Sequence, residues 1–254
     1  MITKTELNEY RIITGLHLGQ LERDYLQNIV LMVLFRLTDN HLVFKGGTAL
    51  QKVYNLDRFS EDLDFTLCEE FKIDDVMKKL CDNLKLFGYS SDFDKKKEFV
   101  TGVTFRLKIK GPLFNGSVNS IFYLKMEISF REKVILKALV KEIKPVYNDL
   151  SPFIVKVMDI EEILAEKIRA IFTRDAARDI FDLYFIIKKG VSPNIILINK
   201  KLEYYELTFN LKNFNKKVAE KEKLWEKELS FLVKNLPKFK KVKKEIKEFF
   251  KVLG

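Results

Sequence analysis

Two runs near the middle of the chain alternate apolar and polar residues. Val103, Phe105, Leu107 and Ile109 are separated by Thr104, Arg106 and Lys108. Phe122, Leu124, Met126, Ile128 and Phe130 are separated by Tyr123, Lys125, Glu127 and Ser129. A period of two is that of a half-buried strand. Asn115-Gly116, a dipeptide favoured in tight turns, lies between them, so the two runs are expected to pair antiparallel. A shorter alternation from Asp62 to Leu67 predicts another strand. Leu42 to Phe44 predicts one more, running into Gly46-Gly47 and then a helix over Thr48 to Tyr54.

Elsewhere the period is helical. Leu21 to Leu37 reads as a mostly buried helix that opens near Asp24 and closes before Asp39-Asn40, and Asp74 to Phe87 places Val76, Leu80, Leu84 and Phe87 on one side. After Ser151-Pro152 the pattern is expected to stay helical. Asp159 with Glu162 makes an N-cap signature for a helix to about Thr173. Asp175 can cap a second helix to Lys188, with Gly190 at its end. The rest is Lys/Glu-rich, with a break near Pro237. The expected fold is α+β over residues 1–150, followed by an all-helical half over 151–254.

With 47% hydrophobic and 32% charged residues among 254, the composition is globular and excludes a wholly disordered chain. The longest apolar run, Ile29 to Phe35, is far short of the roughly 20 residues that span a bilayer, and the start lacks the apolar stretch of a secretory signal. Cys68 and Cys81 form no C-x-x-C pair, and with two histidines they match no familiar zinc spacing. A reduced cytoplasmic protein without structural zinc is therefore expected. Net charge sharpens the picture: residues 191–254 carry 16 lysines and 8 acids, a net of +8 out of +10 for the chain. A basic segment beside a nearly neutral body suits a polyanion such as nucleic acid, or is simply a solvated lysine-rich surface.

Candidate chemistry begins with Asp62 and Asp64. Two apart on a strand, they share a face, and at roughly 7 Å they repel by about 2.4 kcal/mol at an effective dielectric near 20. A cation offsets that, and Mg²⁺ takes hard oxygen ligands of this kind. The bland alternative is two solvent-facing aspartates. Glu127 lies on the polar face of its strand and could adjoin them as a third acid holding metal, or could be a cross-strand partner for a lysine or arginine. Lys45-Gly46-Gly47-Thr48 joins a strand to a helix, where glycines let backbone N–H groups approach a phosphate. It matches neither of the familiar glycine-rich nucleotide motifs, and a Gly-Gly turn can be just a turn.

In the helix after Asp159, the stripe Ile160, Ile163, Leu164, Ile168 and Ile171 includes Lys167 at or within its edge, while Glu162, Glu166 and Arg169 are expected to face elsewhere. A lysine there needs an anion, phosphate or carboxylate, unless it snorkels to solvent. In the next helix Asp182 could anchor Lys167 or act on substrate as a base. Asp179 is the rival for either role, and an i,i+4 network with Arg178 and Lys188 would account for both.

Four strings can now be read together: Phe44-Lys45-Gly46-Gly47-Thr48-Ala49-Leu50, Arg58-Phe59-Ser60-Glu61-Asp62-Leu63-Asp64-Phe65, Ala165-Glu166-Lys167-Ile168-Arg169-Ala170 and Arg178-Asp179-Ile180-Phe181-Asp182-Leu183. In order and spacing they resemble the AbiEii/AbiGii nucleotidyltransferase toxin family, over about residues 24–184. The resemblance implies a DNA polymerase β-like nucleotidyltransferase fold, with a mixed sheet and flanking helices, and then a helical C-terminal half. It implies a toxin of a toxin–antitoxin, or abortive infection, system that moves a nucleotide from an NTP to an RNA 3′-hydroxyl, with tRNA ends as target and a cognate antitoxin as partner. Carried over by position, Lys45, Gly46, Gly47, Thr48, Ser60 and Lys167 would contact nucleotide. Asp62 and Asp64 would hold Mg²⁺, with Glu127 added by its strand position and by analogy with the superfamily's third acid. Asp182 matches the final motif acid better than Asp179 does. A phosphotransferase on the same scaffold, and a non-catalytic nucleotide- or RNA-binding member, are the alternatives.

Overall fold

Why the alternating runs pair is visible in their buried faces. In the computed structural model, which describes residues 1–39 and 41–251, Val103, Phe105, Leu107 and Ile109 and then Phe122, Leu124, Met126 and Ile128 are all buried. Removing two rows of large apolar side chains from water on one side of a sheet, while their neighbours stay wet, fixes both the face and the register. Asn40 and residues 252–254, which end the expected helical half, lie outside the described residues.

The first elements are α1 (Lys4–Thr14), α2 (Leu18–Thr38), β1 (Leu42–Lys45), α3 (Gly46–Tyr54), β2 (Leu63–Leu67) and α4 (Ile73–Leu86). Then come β3 (Ser91–Phe99), β4 (Gly102–Ile109), a 3₁₀ turn at Val118–Ser120, β5 (Phe122–Ser129), β6 (Leu139–Ile143) and β7 (Phe153–Val157). The helices α5 (Ile160–Thr173), α6 (Ala177–Lys188), α7 (Ile195–Glu203), α8 (Leu211–Glu220), α9 (Glu222–Leu229) and α10 (Phe239–Phe250) complete the order. None is long and apolar enough to cross a membrane, among the described residues.

The chain divides into two compact units that interleave in sequence: residues 1–49, 61–134 and 138–157 form one, and residues 50–60, 135–137 and 158–254 the other. The first holds a seven-stranded mixed sheet in the order β3-β4-β5-β2-β1-β7-β6. Its β2–β5 and β1–β7 pairs are parallel and the others antiparallel. Both α2, buried along most of its length, and α4 pack against this sheet. In the second unit α5 packs on α6, α7 and α8, and α6 on α9 and α10. Trp225 lies between Phe181 and Phe239, with its indole N–H donating to the Pro237 carbonyl at 2.9 Å.

Several local expectations are corrected. Asn115-Gly116 does not make a two-residue hairpin, because β4 ends at Ile109 and β5 begins at Phe122 with the 3₁₀ turn between. The segment after Pro152 is not helical at once: Phe153, Val155 and Val157 bury one side of β7 first. Asp175 is not the cap of α6, which begins after Ala176; its carboxylate is bonded to Lys221 instead. Asp159 does cap α5, through the Glu161 N–H at 2.8 Å, but Glu162 makes no capping box. Glu162 and Glu166 are buried, contrary to their expected outward placement. Lys201 Nζ meets them at 2.6 and 3.2 Å, and Glu162 also accepts the backbone N–H groups of Ile135 and Leu136.

Candidate active site

In the first unit, the site is built on strand register. Asp64 on β2 lies directly beside Glu127 on β5 across a parallel pair, and beside Lys45 on β1 across an antiparallel pair. Neighbouring strands run about 4.8 Å apart, so Asp64 and Glu127 are adjacent groups on one face. Asp62 stands just before β2, and the Thr48 hydroxyl donates to its backbone carbonyl, tying that segment to the first turn of α3.

Gly46 is required for a reason other than phosphate approach. It opens α3 with φ +77°, in the left-handed region, and a Cβ there would overlap the Asp64 carboxylate, standing 2.9 Å from its Cγ. The glycine therefore brings the start of a helix against this acid, where the dipole favours negative charge. Lys45 Nζ lies 3.8 Å from the Glu132 carboxylate, and both residues are buried.

A lysine supplies positive charge beside these acids. Lys125 Nζ is 2.6 Å from Glu127. Burial opposes its charge, but the bond to Glu127 and the fields of Glu127, Asp62 and Asp64 outweigh that and raise its pKa. Glu127 thus adjoins Asp64 by register, and its lysine partner comes from its own strand, two residues away, not from across the sheet. Three carboxylates are hard oxygen donors of the kind Mg²⁺ takes, and the bare Cα of Gly46 gives the Asp64 carboxylate its place. Among the described residues no group of three or more His, Cys, Asp or Glu side chains stands close enough together to hold a metal ion.

The second unit holds an ionic chain, buried except at the exposed Arg174. Arg58 Nε and Nη2 donate to the two oxygens of Asp182 at 2.7 and 2.8 Å, and Arg58 Nη1 donates to the Phe59 carbonyl at 2.9 Å. Lys167 Nζ lies 2.7 Å from Asp182 and 3.0 Å from Asp179. Arg174 grips Asp179 through Nε and Nη2, both at 2.7 Å. Burial would raise the carboxyl pKa values, yet for Asp182 the fields of Arg58 and Lys167, and for Asp179 those of Lys167 and Arg174, prevail and lower them. Burial likewise works against Lys167, but the two aspartates raise its pKa.

Of the roles left open for Asp182, the geometry is that of an anchor for Lys167, and neither Arg178 nor Lys188 supplies its partner. Ser60 is also buried, and its N–H donates to Gln51 Oε1 at 2.8 Å. Sequence reasoning missed Arg58, Arg174 and Lys125 as members of these clusters. Arg58 stood four residues before Asp62 in a motif string, and two buried aspartates on α6 demand more than one cation.

Residues 33–252 match the family described as nucleotidyl transferase AbiEii toxin, type IV TA system. The chain belongs to the AbiEii nucleotidyltransferase toxin family. Membership in a type IV toxin–antitoxin family implies a cognate antitoxin. The AbiEii fold is similar to MenT4, a nucleotidyltransferase toxin from Mycobacterium tuberculosis H37Rv, at TM-score 0.68 and 17% identity, covering 98% of this chain and 89% of that one. It is also similar to the crystal structure of JHP933 from Helicobacter pylori, at TM-score 0.58 and 23% identity, covering 92% and 91%. No curated protein matches significantly. At these identities the AbiEii likeness to solved structures is one of fold, a mixed sheet with flanking helices and a helical second half.

Proposed function

We propose that this toxin transfers a nucleoside monophosphate from an NTP to the 3′-hydroxyl of an RNA, the acceptor end of tRNA, in a Mg²⁺-dependent reaction in the cytoplasm that blocks translation. The acceptor oxygen attacks the α-phosphate in line, its bond to phosphorus forms, the bond to the bridging oxygen breaks, and pyrophosphate leaves. Asp62, Asp64 and Glu127 would hold Mg²⁺, which when bound would neutralise phosphate charge and favour both the attacking and the leaving oxygen. The observation that carries this reading is the register that sets Asp64 beside Glu127 with the Gly46 end of α3 against it.

The chain's own residues supply positioning and charge. Lys45, Gly46, Gly47 and Thr48 contact phosphate at the start of α3. Lys167 has two of its three N–H groups directed to Asp179 and Asp182, and offers the third to a phosphate oxygen. Ser60 contributes a further phosphate contact. Asp182 acts through Lys167 as its anchor, with Asp179 sharing the task. Residues 1–150 carry the metal chemistry, and residues 151–254 carry the lysine and its acids, together with basic helices for the RNA backbone.

The test is incubation of the protein with bulk tRNA, Mg²⁺ and each α-³²P-labelled NTP in turn, alongside Asp62→Ala and Lys167→Ala. Label entering tRNA from one NTP, and lost in both variants, is expected. Released NDP in place of pyrophosphate would replace nucleotidyl transfer with phosphotransfer.

A further inference from the structure

Within the second unit, residues 58–60 are held from several directions. The Phe59 N–H donates to the Leu232 carbonyl, and the Phe59 carbonyl accepts from Arg58 Nη1, each at 2.9 Å. The Ser60 N–H donates to Gln51 Oε1 at 2.8 Å. A backbone N–H can only donate, so the orientation of the Gln51 amide is fixed: its oxygen faces Ser60 and its –NH₂ is turned the other way. Arg58 and Lys167 meanwhile share Oδ2 of Asp182, which joins this segment to the lysine proposed for phosphate. Gln51 stands three residues after Thr48 and four after Gly47 on α3. Side chains on a helix lean toward its N-terminus, so a long side chain at this position lies over the turn that Gly47 and Thr48 form. Gln51 is only half-buried, whereas Thr48 is fully enclosed.

We propose that Gln51 is a further nucleotide-contacting residue, its –NH₂ donating to a phosphate oxygen of the NTP while its Oε1 fixes the Ser60 segment. With the oxygen committed to Ser60, the other end of the amide is a pure donor. The ligand atoms that suit it are acceptors without a hydrogen, which phosphate oxygens supply. A hydrogen bond to an ionised oxygen is also worth more than one between neutral groups. The same bond occupies the Ser60 N–H, so Ser60 reaches phosphate through its hydroxyl. A glutamine that only satisfied the Ser60 N–H would need its oxygen and make no use of its nitrogen. The two roles therefore separate at Gln51→Glu, which keeps an acceptor in place and removes both donors.

This inference rests on the proposed nucleotidyl transfer, and its test reads binding apart from turnover. The full-length protein with Mg²⁺ is titrated by calorimetry with inorganic tripolyphosphate and with each of the four α,β-methylene NTPs, as wild type, Gln51→Glu and Gln51→Ala. Gln51→Glu keeps the acceptor for Ser60 and sets a carboxylate against phosphate. Its Kd for tripolyphosphate and for the NTP analogue is expected to rise about 10- to 100-fold, with an unchanged unfolding midpoint. Gln51→Ala loses the donor without adding charge, and its Kd is expected to rise by less. The reverse order, with Gln51→Ala impaired and Gln51→Glu binding like the wild type, overturns the inference and leaves Gln51 as a prop for Ser60. So does a Gln51→Glu defect seen with the NTP analogues and absent with tripolyphosphate, which moves the amide to the sugar or base. A wild type that binds none of the probes overturns it as well. The expected binding order with no label transferred from any NTP sinks the transfer reading alone. Label transfer with an NTP KM unmoved by Gln51→Glu sinks the role of Gln51 alone.

Discussion

Arg58 and Asp182, 124 residues apart, form a two-pronged buried ion pair with both bonds under 3 Å. This pair, and not a residue on α6 itself, sets the charge state of Asp182 and through it the position of Lys167. A carboxylate gripped at both oxygens is a poor proton acceptor, which suits the proposed role of Asp182 as an anchor for the lysine.

Breaking that pair from one side leaves a charge buried without its counter-ion. Arg58→Met or Asp182→Leu is expected to cost about 3–5 kcal/mol of stability. The double variant should recover a large part of the loss, because it removes both charges. Urea denaturation of the two single variants and the double variant provides the check, and strictly additive losses would show that the pair is not coupled.

Gly46→Ala places a methyl group where the Asp64 carboxylate sits and asks an L-residue to adopt φ +77°. The backbone strain is worth about 1–2 kcal/mol. The displaced carboxylate should cost more in rate, about 10²-fold in kcat. Thermal unfolding and steady-state label incorporation, measured on the same preparation, separate the two effects. A variant that is destabilised but fully active would remove Asp64 from the chemistry.

The pH dependence of stability follows from the depressed carboxyls of Asp179 and Asp182. A group whose folded pKa lies below its unfolded value of about 3.9 stabilises the protein at all higher pH, and that contribution is lost as pH falls through the folded value. Denaturation midpoints should therefore hold from pH 7 to about pH 5 and fall steeply below pH 4. Asp182→Asn should start lower and fall less. Lys167, with its raised pKa, contributes with the opposite sign: its part persists below about pH 10.4 and is lost only as pH rises through the higher folded value.

On α10, Lys240, Lys241, Lys244 and Lys247 are exposed, while Phe239, Val242, Ile246 and Phe250 are buried. Changing the four lysines to glutamine leaves the apolar face intact and tests the basic segment without truncation. RNA affinity is expected to fall. The slope of log K against log salt should shrink by about 0.7 for each phosphate of a single strand that the protein no longer neutralises. Filter binding at four salt concentrations measures both. An unchanged slope would mean that these lysines only solvate the helix.

What the chain shows unfolded is local. The period-two runs assigned Glu127 to the polar face of its strand, and the spacing of Asp62 and Asp64 placed both on one side, because neighbouring side chains in an extended chain must alternate. The helical stripe around Ile163, Leu164 and Ile168 likewise drew Lys167 inward, where it is buried. Other strands escaped notice for the same reason in reverse. Of Ser91–Phe99, the residues Asp92, Asp94, Lys95 and Glu98 are charged, and the run makes an edge strand held by backbone bonds to β4. Leu139–Ile143 is the other edge, with only Ile143 buried. Edges need little apolar surface, so they leave little trace in the pattern.

Tertiary structure decided the pairings. Nothing in the alternation says that β5 lies parallel to β2, yet that choice alone sets Glu127 beside Asp64. Nor does the period of α6 reveal that Asp182 answers to an arginine from residues 50–60, or that Glu162 and Glu166 turn inward to meet Lys201. A buried charge is stabilised by whichever opposite charge folding brings near. That partner is set by the packing of distant segments and not by its neighbours along the chain.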